Sequence, residues 1–133
     1  MSALTTLFRP VGQKEFDLIA RSHFREFPPR LPWQPIFYPV LSLDYAAEIA
    51  RDWNTKDPEN GNVGYVTAFD VDAACAARFP AQRVGGSAHL ELWVPAEQLA
   101  DLNKNIAGMI RVVTAFRTVA DGTVEEFTPP GPR

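Results

Sequence analysis

From Ala88 to Val94 every second residue is apolar: Ala88, Leu90, Leu92 and Val94. Ser87, His89, Glu91 and Trp93 occupy the alternate places. A period of two describes a strand with two unlike faces. Residues 4–11, 36–41, 63–70 and 109–117 read as further strands, the last with Ile110, Val112, Thr114 and Phe116 on one face. Pro39 makes 36–41 an edge or bulged strand, because proline brings no N–H to a ladder. Helical spacing appears elsewhere. Phe16, Ile19, Ala20 and His23 predict a helix over about 13–23. Ala46, Ile49, Ala50 and Trp53 predict another over about 43–53, with Ser42 as its N-cap. Leu99, Leu102 and Ile106 define a third, opened by Pro95, where a missing N–H is no loss, and stopped by Gly108. Asp72 caps one short turn across 73–79.

The segments between these elements have their own signals. Residues 24–35, FREFPPRLPWQP, carry too much proline for a central strand and predict an extended surface connection. Residues 54–62 form a turn-rich loop, and 79–87 a loop containing Gly85 and Gly86. The last residues, 118–133, hold little apolar content and several prolines, and predict a loosely ordered tail behind a single domain over 1–117. A parallel sheet covered on both faces needs continuously apolar strands. These strands alternate, and several carry proline or glycine. The pattern predicts an α+β fold: a small, distorted, mostly antiparallel sheet with about three helices.

Composition narrows the chemistry. A chain of 133 residues is the size of one domain. The single cysteine, Cys75, excludes an internal disulfide, and with two histidines it leaves no metal site to assign. A net charge of −3 argues against a nucleic-acid surface. No window approaches the roughly 18 apolar residues of a membrane span, and the first ten residues lack the basic-then-apolar pattern of a leader. The expectation is a cytoplasmic protein without a membrane partner. The cations are mostly arginine, since only Lys14, Lys56 and Lys104 are lysines. Arginine suits bidentate contact with phosphate or carboxylate.

Three constellations remain. His89 and Glu91 stand two apart on one strand face, about 7 Å from each other. Such a pair is a solvated face or the wall of a pocket, and Trp93 in the same row draws it towards a covered position. Arg9, beside Pro10 at the end of the first strand, is a surface cation or an anion clamp. Phe37, Tyr38, Tyr45 and Trp53 form a core cluster or a surface on which a flat ligand stacks.

Four blocks, LFRPVG, LPWQPIFYPVLSLDYAAEIARDWN, GYVTAFDVD and VGGSAHLELWVPAEQL, together resemble a family of small bacterial proteins labelled as ADP-ribosylation or crystallin-type. The likeness spans about residues 6–117. The order of the blocks is also similar to the ADP-ribosyltransferase fold. That resemblance implies an enzyme that takes NAD as a substrate, cleaves the nicotinamide–ribose bond and passes ADP-ribose to an acceptor. It implies that Arg9 holds NAD from the first strand and that Tyr38 or Tyr45 stacks on it. Glu91 would be the catalytic carboxylate, and loop 79–87 would lie where the target-recognition loop lies. His89 would line the cofactor side, at a position where many members carry Glu or Gln. The alternative expectation is a non-catalytic binding or regulatory module with a degenerate cleft, suggested by the short chain, by the substituted motif, with Pro39 in the second block and His89 in place of Glu or Gln, and by the proline-rich segment 28–35.

Overall fold

The computed structural model describes residues 3–86 and 89–133. Its centre is a four-stranded antiparallel sheet in the order β1-β3-β7-β8, with β1 at Leu4–Val11, β3 at Val63–Asp72, β7 at Ile106–Thr118 and β8 at Val124–Phe127. The register runs from Leu4 opposite Asp72 to Val11 opposite Tyr65, and from Val63 opposite Arg117 to Val71 opposite Ile106. The α+β class and the mostly antiparallel sheet are therefore as the alternation indicated. Helix α1 covers Gln13–Arg21, α2 Leu43–Asp52, α3 the single turn Ala73–Ala76 and α4 Leu99–Lys104. No helix among the described residues is long and apolar enough to cross a membrane.

The sheet buries both faces, unequally. On one face Leu7, Val11, Phe69, Val71, Ile110 and Val112 pack with Phe16 and Ile19 of α1, with Phe27 and with Leu99 and Leu102 of α4. On the other, Val66 and Phe116 meet Ala46 and Ala50 of α2. Ser42 caps α2 as expected, accepting from the Tyr45 N–H at 3.1 Å. The helix sits low on the sheet because β3 carries Gly64 beneath it. A Cβ there would lie 2.6 Å from the Ala50 carbonyl oxygen and 2.8 Å from its Cα.

Several expectations are corrected. Segment 36–41 is not one strand. β2 is only Ile36–Phe37, paired with β6 at Val94–Pro95, and Pro39 follows outside any ladder. Val40 then makes single bridges to Phe8 of β1 and to Glu91 of β5, Leu90–Leu92. The loop expected at 79–87 contains strand β4, Ala81–Arg83, paired with β5. Gly108 does not stop a helix, because α4 has already ended at Lys104. Gly108 lies in β7 with φ +74°, beside a shift of register, where a residue without Cβ adopts the left-handed region easily. The expected row Ile110, Val112, Thr114, Phe116 is also broken. Val66 pairs with Thr114 but Thr67 with Val112, so Val113 is one residue too many. Beyond that bulge Ala115 joins Ile110 and Val112 on one face, and Phe116 turns to α2.

The C-terminal residues are not a loose tail. Val124–Phe127 pairs with Ala115–Thr118, the Val112 N–H donates to the Pro132 carbonyl at 2.7 Å, and Pro129 is buried. Low apolar content misled here, because an edge strand needs only one packed side. Phe127 packs on the core and under the Arg117 guanidinium at 4.4 Å, while Glu125 and Glu126 bond Arg117 and Thr114.

Candidate functional site

Arg9 lies on the core-facing side of β1 and is 9% exposed. Its guanidinium stacks 4.4 Å over the Phe37 ring. Nε and one terminal nitrogen donate to Glu15 at 2.6 and 2.8 Å, and the other terminal nitrogen donates to the Tyr38 carbonyl at 3.3 Å. Glu15 reaches back because α1 begins directly after β1. Gly12 permits that turn, since a Cβ there would fall 2.5 Å from the Asn60 Cβ. A bidentate pair of this kind is among the stronger side-chain hydrogen-bonded contacts.

Across a hollow of about 380 Å³ stands Glu91 on β5. Arg9, Tyr38, Glu91 and Trp93 line the hollow, with Val40 and Ile49 among its apolar walls. The Val40 bridges explain the convergence, because one residue joins the strand of Arg9 to the strand of Glu91. The Trp93 indole donates to one Glu91 oxygen at 2.8 Å, and the Tyr45 hydroxyl lies 3.5 Å from the other. Tyr38 meets Trp93 edge-on, ring centres 6.2 Å apart at 89°.

Tyr45 does not stack in the hollow. Its ring lies parallel to His89 at 4.4 Å and 13°, and His89 Nε2 is 3.0 Å from a Glu48 oxygen. His89, Tyr45 and Glu48 thus form a brace behind Glu91. Partial burial pushes the Tyr45 hydroxyl above its ordinary value of 10.0, and the neighbouring Glu91 and Glu48 charges add to it. The row His89, Glu91, Trp93 therefore faces α2 and the hollow and is not a plain solvated surface. Ser87 of the same row lies outside the described residues.

Two partners were missed from sequence. Glu48 is three residues beyond Tyr45, on the same helix face, so helical spacing pointed to it. Glu15 carried no such signal, because its pairing depends on how tightly Gly12 turns. Trp53 stands apart from the hollow's lining, at the C-terminal end of α2 and 71% exposed. Among the described residues no three His, Cys, Asp or Glu side chains gather as metal ligands. Comparison with known families, with curated proteins and with solved structures returns no match for this chain.

Proposed function

We propose that the hollow between β1 and β5 is an NAD site of ADP-ribosyltransferase type, with Glu91 as the catalytic carboxylate. The observation that carries the reading is convergence: Arg9, Tyr38 and Glu91, far apart in the chain, line one cavity. Its volume suits the nicotinamide–ribose half of a dinucleotide, since small-molecule sites begin at about 300 Å³.

The chemistry follows from the groups. The bond between nicotinamide and the ribose C1 atom breaks, and its electron pair leaves with neutral nicotinamide. Positive charge builds on the sugar, as in glycoside cleavage. Glu91, fixed by the Trp93 indole, stabilises that charge more in the transition state than in the bound substrate. The acceptor's nucleophile then bonds to C1 and gives up its proton. Tyr38 and Trp93 supply flat surfaces for the nicotinamide ring. Arg9 has one N–H left on each terminal nitrogen for the diphosphate after Glu15 and Tyr38 have taken theirs. The test is release of labelled nicotinamide from NAD. The wild-type chain is expected to release it, and Glu91→Gln to slow release by roughly 10²–10³-fold. Equal rates for the two chains would remove the assignment.

One observation favours a second reading, a binding module without catalysis. Glu15 already neutralises the Arg9 fork. With less charge left for a diphosphate, the hollow then binds a flat ligand on Tyr38 and Trp93 without cleaving it, and no nicotinamide is released from NAD.

A further inference from the structure

Tyr38 and Trp93 meet at 89° with ring centres 6.2 Å apart, and both line the hollow, so they make two walls of a corner. Both rings are open to a ligand, 38% and 44% exposed. Glu91 is held at that corner, where one of its oxygens accepts from the Trp93 indole at 2.8 Å. The other oxygen has only the Tyr45 hydroxyl, at a long 3.5 Å, and keeps most of its accepting capacity. Val40, Ile49 and Val84 add methyl groups to the lining.

The charges around the hollow do not cancel. Among the described residues that line it, only Arg9 and Glu91 are charged. Arg9 lies over the Phe37 ring and gives two of its N–H groups to Glu15, so its charge is met before a ligand arrives. Arg30 stands outside the lining, 6.0 Å from the Phe37 ring, and Glu15 acts on it as well. Behind Glu91, His89 is taken by Glu48 at 3.0 Å. Glu91 is therefore the carboxylate that borders the open space, and no cation of the described residues is bonded to it.

Ring faces are negative and attract a cation, and a half-buried carboxylate beside them strengthens the attraction. A bare ammonium or a metal ion would have to give up tightly held water, which Val40, Ile49 and Val84 cannot replace. A cation that spreads its charge over alkyl groups loses less water and packs against rings and methyl groups alike. We infer that the corner of Tyr38, Trp93 and Glu91 binds an N-alkylated organic cation, a quaternary ammonium or an alkyl pyridinium head group. The pyridinium ring of NAD is one such cation. The inference rests on the hollow's being a ligand site and not on cleavage of NAD.

The probes are choline and its neutral analogue, in which carbon replaces the ammonium nitrogen, each titrated into the full chain. The readout is the Trp93 indole NMR resonance, assigned with Trp93→Phe. Choline is expected to shift it saturably and to bind at least about tenfold more tightly than the neutral analogue. Glu91→Gln should weaken choline about tenfold and leave the neutral analogue unchanged. Tyr38→Leu should weaken choline, and Tyr38→Phe, which keeps the ring, should recover most of the loss. A trimethyllysine peptide separates the two sources of such a head group: tighter binding than choline assigns it to a protein side chain, weaker binding to a soluble molecule. A Trp93 signal unmoved throughout the choline titration overturns the site. Equal binding of choline and its neutral analogue overturns the charge selection, as does a folded Glu91→Gln chain that binds choline like wild type. Those failures leave the nicotinamide-release test standing, and its failure leaves the cation site standing.

Discussion

Glu15 accepts two hydrogen bonds from Arg9, from Nε at 2.6 Å and from a terminal nitrogen at 2.8 Å, and so pins the start of α1 to the C-terminal end of β1. Replacing the carboxylate by a neutral amide leaves a buried guanidinium with the Phe37 ring, the Tyr38 carbonyl and one amide oxygen, and no counter-charge. Glu15→Gln is therefore expected to destabilise the fold by about 3 kcal/mol. A lower urea midpoint at unchanged slope checks this, and a midpoint within error of wild type contradicts it. The same variant frees the Arg9 fork, so NAD should bind it more tightly than wild type.

Tyr45 supplies a pH dependence. Its hydroxyl is held above 10.0 first by burial and then by Glu91. A raised folded value means that the folded chain holds the proton longer than the unfolded chain. The contribution is then fully present below about pH 10 and is lost as pH rises through the folded value. Ultraviolet titration of tyrosinate should show Glu91→Gln moving Tyr45 back towards 10.0. An unchanged titration would break the link between the two side chains.

Gly64 couples the sheet to the site. A methyl group there meets the Ala50 backbone at 2.6–2.8 Å, which a side-chain rotation cannot relieve. Gly64→Ala is expected to lift α2 and to destabilise by about 1–3 kcal/mol. Because α2 carries Tyr45 and Glu48, the His89 ring resonances should shift as well. Loss of stability with His89 unmoved would show that the brace does not depend on the seating of α2.

The helices α1 and α2 and the shared face of His89, Glu91 and Trp93 were legible because each follows a local period, while β1 and β3 were legible as short runs of β-branched and aromatic residues, β3 being buried without a break from Val63 to Phe69. What escaped depended on partners distant in sequence. The bulge at Val113 reverses the side of Ala115 and Phe116, and no period foretells an inserted residue. β8 was hidden because an edge strand can be half charged. The contact of Arg9 with Glu15 was hidden because it follows from close packing of Gly12 against Asn60. Tyr38 and Tyr45 were interchangeable in sequence. They separate in space, Tyr38 into the hollow and Tyr45 behind it against His89.

The most direct measurement is an NMR titration of the full chain with NAD, read at the indole resonances of Trp93 and Trp53. Trp93 lines the hollow and holds Glu91, whereas Trp53 lies at the far end of α2. Occupancy of the hollow should move the Trp93 signal saturably and leave Trp53 in place. A Trp93 signal that stays fixed at saturating NAD would contradict the assignment.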